Sequence, residues 1–270
     1  MFRLAMVQGR LSSEVAGKFQ YFPIHNWRSE FSKAKELGFD SLEWIISDFS
    51  NPIFDHVSQS EIIKLVAESG LEISSISLDL LVHNTLNLYS DKEINWIFEN
   101  INKISKKVKL SRVSIPIEET CGIRDAQTFN KVQDKLIKIL KLNSFNNYSI
   151  AVETDMTPIA VRHFLDHKDL QKVGVLLDIG NAAAYGYQLE DYFYYIKDKI
   201  FSLHIKDRQS GIGPTVPLGT GAAEFAYLKK NINKLINLKD ITLQTFKTHE
   251  NFIEDTAKAK KFINDNLAID

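Results

Sequence analysis

The sequence predicts an α/β fold, a closed (β/α)₈ barrel that forms a single domain over residues 1–270. Short β-branched runs alternate with longer amphipathic stretches, and no linker rich in Pro, Gly or Ser interrupts them. The alternation repeats eight times along the 270-residue chain, at about 34 residues per strand–helix unit. Eight such units fit a barrel of roughly 250 residues. The alternative, an open doubly wound sheet, usually has about five or six strands.

The predicted elements follow one another in regular order. Capping boxes at Ser58 and Ser90, each with Glu three residues later, start two helices, and Thr157 before Pro158 starts another. The predicted strands are 3–8, 41–46, 71–78, 112–117, 148–153, 173–178, 200–205 and 240–246. The predicted helices are 27–37, 58–70, 90–107, 126–142, one from 158, 189–197, 222–236 and 252–266.

Composition excludes several classes of partner. With 33 basic and 34 acidic side chains, the net charge of −1 gives no reason to expect a nucleic acid or an anionic membrane. No apolar run approaches the roughly 20 residues that span a bilayer, and residues 1–10 turn polar too soon for a signal peptide. The single cysteine, Cys121, excludes a disulfide framework and a cysteine-rich zinc site. We therefore expect a cytoplasmic protein with a small-molecule partner.

Polar residues stand at or near the ends of seven successive predicted strands. A single acidic residue there is often a turn former or a helix cap, but seven in a row need another explanation. In a barrel, the carboxyl ends of all strands meet at one rim, where active sites lie. We therefore expect these side chains to converge: Glu43, Asp79, Glu118, Glu153, Asp178, His204 and Gln244.

Glu153, Asp178 and His204 are the strongest candidates within this set. Two carboxylates and one imidazole suit one divalent ion such as Mn²⁺, Mg²⁺, Co²⁺ or Zn²⁺. The alternative for His204 is a buried structural histidine on an inward-facing strand. The other histidines lie in predicted loops or helices and are expected to be solvated: His25, His56, His83, His163, His167 and His249.

A glycine-rich loop follows the seventh predicted strand. Gly219 and Gly221 precede a predicted helix, and free backbone N–H groups at such a place can bind an anion. Loops after strands seven and eight of barrels often bind phosphate, and Lys206, Arg208 and Lys247 would add positive charge. A simple turn is the alternative explanation.

Five segments together resemble a known family. They are AVETD at 151–155, LDIGN at 177–181, LHIKD at 203–207, PLGTG at 217–221 and LGFDSLE at 37–43. They are similar to the sugar phosphate isomerase/epimerase family of the xylose-isomerase-like TIM-barrel superfamily. The nearest branch contains pentulose-phosphate 3-epimerases and hexulose-phosphate isomerases. The resemblance implies a TIM barrel that binds one divalent metal ion and a small sugar or sugar phosphate.

The resemblance also implies roles for individual residues. Glu153, Asp178 and His204 would be metal ligands, and Glu153 would also act as an acid/base group. Glu43 matches a position near the substrate and is a second catalytic candidate. The other substrate-binding candidates are Asp79, Glu118, Asn181, Lys206, Asp207, Arg208, Gly219 and Gly221.

The chain departs from the family at Gln244, where the family has a fourth metal-binding glutamate. A glutamine oxygen can coordinate a metal, but an amide cannot take up or release a proton at neutral pH. Inversion of a carbon by proton exchange generally needs a base on one face and an acid on the other. Glu43, Asp79, Glu118 or Glu119 are the candidates for the missing group, whereas a 1,2-isomerisation on one face needs only one base.

These observations predict a metal-dependent isomerase or epimerase that works through an enediolate. An alternative is a non-catalytic or repurposed sugar-binding barrel whose metal site is weakened by Gln244. A remote alternative is a DNA-repair enzyme related to endonuclease IV, but such sites hold three metals and need a basic surface that this chain lacks.

Overall fold

The computed structural model describes residues 3–15, 17–143 and 147–267. Eight parallel strands close into a barrel in which each strand pairs with its neighbours in the sequence, and the first pairs with the eighth. This confirms the predicted (β/α)₈ barrel. The strands are Arg3–Val7, Ser41–Ile45, Glu72–Ser77, Arg112–Ile117, Ser149–Thr154, Gly174–Asp178, Ile200–Ile205 and Asp240–Leu243.

Helices follow the strands and cover the outside of the barrel. Within the described ranges they are α1 (Trp27–Glu36), α2 (His56–Ser69), α3 (Asp91–Ser105), α4 (Ala126–Leu142), α5 (Pro158–Leu165), α6 (Ile179–Ala184), α7 (Leu189–Ile196), α8 (Phe225–Asn231) and α9 (Phe252–Leu267). None of these helices combines the length and apolar character that a bilayer crossing requires.

Two of the three predicted helix starts are confirmed. The capping box at Ser90 is formed, and Thr157 accepts a hydrogen bond from the N–H of Ala160. The start at Ser58 is wrong, because α2 begins a turn earlier. Asp55 caps this helix and accepts a 2.8 Å hydrogen bond from the N–H of Ser58.

The largest departures from the predicted elements lie at the carboxyl end of the barrel. Helix α6 was not predicted, and Asp178 caps it by accepting a 2.8 Å hydrogen bond from the N–H of Asn181. A short antiparallel ladder, Asp207–Arg208 with Thr215–Val216, follows the seventh strand. The eighth strand ends at Leu243, so Gln244 lies directly beyond it. These irregular segments bring extra polar groups to the rim.

A buried ion network lies inside the barrel. The Arg112 guanidinium contacts Glu43 at 2.6 Å and Asp240 at 3.0 Å, and all three side chains are at most 1% exposed. Ser202 and Ser75 donate further hydrogen bonds to the two carboxylates. Charges can be buried at this depth because they are paired and hydrogen-bonded. The network forms the floor beneath the carboxyl-end rim.

Candidate metal and substrate site

Glu153, Asp178 and His204 come together at the carboxyl ends of the fifth, sixth and seventh strands. One possible ligand atom from each lies within 4.8 Å of the other two, and all three side chains are buried. Asp178 and His204 are paired residues of neighbouring strands, which fixes their side chains on the same face. The sequence prediction that these residues converge is confirmed.

The ring of His204 is held between two carboxylates. Its Nε2 lies 2.7 Å from Glu43, and its Nδ1 lies 3.6 Å from Glu153 without a hydrogen-bond partner among the described residues. Burial alone would raise the pKa of Glu43, but His204 and Arg112 lower it, so this carboxylate is ionised and accepts the Nε2–H. The Nδ1 atom therefore faces the ligand group.

The electrostatics of this group favour a cation. Burial alone would lower the pKa of His204, but Glu43 and Glu153 outweigh burial and raise the pKa to about 10. The surrounding carboxylates therefore favour positive charge at this point, either a proton on Nδ1 or a metal ion that displaces this proton. The unpartnered, buried Nδ1 and the two carboxylates are the donors that a divalent ion requires. The residues present thus fit a divalent metal ion.

Gln244 offers a neutral oxygen near the end of the eighth strand. The backbone N–H of Gln244 donates a hydrogen bond to the carbonyl oxygen of Ile205, the residue after His204. The side chain is 4% exposed, and its Oε1 has no partner among the described residues. The Nε2 donates a 2.8 Å hydrogen bond to Gln20. Gln244 can therefore present an oxygen to a ligand but no charge.

A linked group of polar side chains lies between Gln244 and the third strand, and sequence reasoning found only part of it. Gln20 accepts hydrogen bonds from Gln244 and from the Arg10 guanidinium (2.9 Å), and it donates a 2.8 Å hydrogen bond to Asp79. Ser77 donates a second hydrogen bond to Asp79. Arg10 and Gln20 lie in the irregular connection after the first strand, which carries no periodic signal. The connection between the first strand and α1 is unusually long, and this length could have indicated a functional loop.

The opposite side of the mouth carries Glu118 and Arg208. Asn181 donates a 3.2 Å hydrogen bond to Glu118 and accepts a 2.8 Å hydrogen bond from Arg208. Burial and the nearby Glu153 raise the pKa of Glu118 well above its usual value. Lys206 lies 2.7 Å from Asp178. These residues gather as the sequence predicted, and Lys206 and Arg208 bring positive charge to this side.

Glu43 does not stand at the rim, where the sequence placed it. It is the third residue of its strand, 1% exposed, and lies beneath His204 with Arg112 on its other side. The apolar run after Glu43 belongs to the strand, so the strand continues past this residue. Glu43 therefore orients His204 from inside the barrel and is poorly placed to exchange protons with a substrate.

The predicted anion loop is filled by a side chain of the chain itself. The N–H groups of Gly219 and Gly221 both donate 2.9 Å hydrogen bonds to Asp207, and that of Ala223 donates a third. Asp207 is 1% exposed, so it supports the loop. Lys247 is also buried and binds backbone oxygens of the connection after the first strand. Neither the amides nor Lys247 are free to bind phosphate in this arrangement.

The remaining histidines lie outside this site. His167 is half-buried and the others are exposed, as expected: His25, His56, His83, His163 and His249. Among the described residues, one group of His, Cys, Asp and Glu side chains lies close enough together to hold a metal ion: Glu153, Asp178 and His204.

The family follows from a comparison with known proteins. A family model described as "Xylose isomerase-like TIM barrel" matches residues 31–263. The chain belongs to this family. It is 21% identical over 269 residues to the L-ribulose-5-phosphate 3-epimerase UlaE of Salmonella heidelberg (strain SL476), with 90% of each chain covered.

Two solved structures share the fold at low sequence identity. The chain is similar to the IOLI protein with a bound zinc atom, at a TM-score of 0.75 and 16% identity, covering 98% of each chain. It is also similar to an L-ribulose 3-epimerase, at a TM-score of 0.73 and 17% identity, covering 99% of this chain and 95% of the other. These similarities establish the barrel and agree with the family.

Proposed function

We propose that this protein is a divalent-metal-dependent isomerase or epimerase of a small ketose or ketose phosphate. The observation that carries the proposal is the buried group of Glu153, Asp178 and His204, in which the Nδ1 of His204 has no other partner among the described residues. The related L-ribulose-5-phosphate 3-epimerase and the zinc-containing structure support the same chemistry.

Glu153, Asp178 and His204 would hold the ion, and Gln244 offers a neutral fourth oxygen. An ion held there supplies Lewis-acid stabilisation of negative charge on substrate oxygens. Glu153 removes the proton next to the substrate carbonyl, and the electron pair of the broken C–H bond enters the resulting enediolate. Glu43 keeps the His204 ring in place through its 2.7 Å contact with Nε2.

Arg208 is the cation available to an anionic substrate, because the Lys206 ammonium is paired with Asp178 at 2.7 Å. Arg208 keeps a side chain that is 12% exposed, and it is positioned by its hydrogen bonds to Asn181 and to the Gly213 carbonyl. A planar guanidinium at the mouth suits a phosphate or a carboxylate. A phosphorylated ketose is therefore the preferred substrate class.

Exchange of the substrate α-proton in deuterated water tests the proposal. The protein with Mn²⁺ would be incubated with a panel of pentuloses, hexuloses and their phosphates, and deuterium uptake would be followed by NMR. We expect exchange with at least one phosphorylated ketose and a loss of about 100-fold or more in Glu153→Gln. The exposed Glu190 provides a matched control, since Glu190→Gln should leave the rate unchanged.

The proposal fails if the protein binds Mn²⁺ but exchanges no α-proton across the panel. Binding of a ketose without exchange would instead identify the non-catalytic sugar-binding barrel. Exchange that is equally fast in Glu153→Gln would show that another residue is the base.

A further inference from the structure

The neutral Gln244 leaves open which group faces Glu153 across the substrate. Inversion of a carbon requires one group to remove the proton and another to return it on the opposite face. Glu43 is sealed beneath His204, and the Glu119 side chain is 60% exposed and lies near Arg208. Asp79 and Glu118 remain as half-buried carboxyl groups at the mouth.

Glu118 lies on the same side of the mouth as Glu153. It follows the fourth strand, next to the fifth strand that carries Glu153. Its partner Asn181 lies in α6, which follows the sixth strand, and the backbone N–H of Asn181 donates a hydrogen bond to Asp178. Glu118 is thus linked through Asn181 to Asp178, on the part of the rim that holds Glu153, Asp178 and His204.

Asp79 is attached to the other half, beside Gln244. Gln20 bridges the two residues, with 2.8 Å hydrogen bonds on both sides. Asp79 is therefore linked through Gln20 to the connection after the first strand and to Gln244 beyond the eighth strand. Glu118 is linked through Asn181 to α6, after the sixth strand. Of the two carboxyl groups, Asp79 is the one linked to Gln244, directly beyond the eighth strand.

The donor and acceptor pattern fixes this arrangement. The Arg10 guanidinium has only donors, so Gln20 must present its oxygen to Arg10 and its nitrogen to Asp79. The side chain at position 244 contacts the same Gln20 oxygen, so it must donate a hydrogen bond. A glutamine can donate one, whereas an ionised glutamate cannot. Glutamine at 244 therefore matches the hydrogen-bonding needs of its neighbours, and the carboxyl group on this side of the mouth is that of Asp79.

The environment of Asp79 suits a group that carries a proton. Burial raises its pKa, against the hydrogen bonds from Gln20 and Ser77, and the charges of Glu153 and Glu43 act in the same direction as burial. A carboxyl group that holds its proton nearer to neutral pH can donate it to a carbanion.

We propose that Asp79 is the proton-transfer residue opposite Glu153, a role that rests on the proposed function and requires the reaction to be an epimerisation. The substrate C–H bond breaks, and its proton goes to the Glu153 carboxylate while the electron pair enters the enediolate. A new C–H bond then forms on the opposite face with the proton of the Asp79 carboxyl. Solvent returns both carboxyl groups to their starting protonation states, so no further reactant is needed.

The test compares inversion with proton exchange in Asp79→Asn. The substrate is the ketose or ketose phosphate that the unaltered Mn²⁺ enzyme epimerises, and NMR in deuterated water reports both the epimer and the label. Without Asp79, inversion should fall about 100-fold or more, while Glu153 still removes and returns a proton on its own face. Deuterium uptake into the unchanged epimer should therefore continue within several-fold of the original rate.

A merely structural role for Asp79 would lower inversion and uptake together, and this result would overturn the proposal. Inversion that persists in Asp79→Asn, or inversion that is lost selectively in Glu118→Gln, would overturn it as well. Asp79→Ser repeats the comparison with a smaller side chain if the asparagine variant folds poorly. The exposed Asp134 provides the matched control, as Asp134→Asn should change neither rate.

Failure of the proposed function gives a different result. In that case the unaltered protein with bound Mn²⁺ shows no exchange on any ketose of the panel. An enzyme that isomerises with exchange but without inversion leaves the proposed function intact and refutes the role of Asp79.

Discussion

Replacing Glu43 by glutamine tests whether the buried network beneath the rim holds His204 in place. Glu43 accepts hydrogen bonds from three groups, the His204 ring at 2.7 Å, Arg112 at 2.6 Å and Ser75 at 2.8 Å. Glutamine has nearly the same shape, but it is neutral and turns one of its ends into a donor. In Glu43→Gln, the new side-chain NH₂ group would therefore face donors that now bind the carboxylate, and these donors would lose their acceptor.

The expected loss of stability is large because the site is fully buried. Breaking a buried ion pair by removing one partner costs about 3–5 kcal/mol. Arg112 keeps Asp240 at 3.0 Å, so we expect the lower end, about 3 kcal/mol. A domain stable by about 5–15 kcal/mol would remain folded. In the proposed metal site, loss of the carboxylate that orients the His204 ring should also weaken Mn²⁺ binding about 10- to 100-fold.

Urea unfolding in EDTA, followed by circular dichroism, measures the first effect, and calorimetric titration with Mn²⁺ measures the second. Glu61 provides a matched control, because it also contacts a guanidinium, that of Arg28, at 2.6 Å but at the surface. Glu61→Gln should change stability far less and leave Mn²⁺ binding unaltered, since water screens the exposed pair. Equal losses in the two variants, or unchanged Mn²⁺ affinity in Glu43→Gln, would refute this account of the network.

Two further predictions concern the connections that frame the site. Asp207→Ala leaves three loop N–H groups without their acceptor and should lower the unfolding free energy by about 2–4 kcal/mol in urea titrations. Added phosphate should recover part of this loss in the variant alone, because the freed amides can bind an anion; equal effects of phosphate on both proteins would contradict the explanation. In Gly180→Ala, the new Cβ would lie 2.9 Å from the backbone of Lys206. We expect helix α6 to shift and Mn²⁺ binding through Asp178 to weaken about tenfold, as overpacking costs about 1–3 kcal/mol; unchanged affinity in the calorimeter would refute this.

The fold was predictable because the barrel repeats one local pattern. Each parallel strand is buried on both faces and reads as a short β-branched run, and each helix shows its own period and caps. The same regularity made Glu153, Asp178 and His204 visible, since each is the last or the last-but-one residue of one of three successive strands. In a closed barrel, that position alone brings side chains together.

Features that depend on irregular backbone were not predictable in this way. Gln20 and Arg10 reach the mouth through a connection without periodicity, so only the folded chain shows that they meet Gln244 and Asp79. Asp207 was expected to face a substrate, yet it turns into the glycine loop. Glu43 was expected at the rim although it is the third residue of both the predicted and the observed strand, because the sequence does not show that His204 and Arg112 enclose its side chain.

The position of Gln244 illustrates why a site should be judged from its neighbours as well as from a motif. From the motif alone, the missing glutamate suggests a weakened metal site. In the fold, Arg10 fixes the oxygen of Gln20, and that oxygen requires a donor at position 244. A reversion, Gln244→Glu, would place a carboxylate against this oxygen without a proton between them. The carboxyl function on this side of the mouth is instead provided by Asp79, which receives the nitrogen of the same amide. In the proposed mechanism, Glu153 and Asp79 are the carboxyl groups on the two sides of the mouth, and Gln244 is the neutral donor that the oxygen of Gln20 requires.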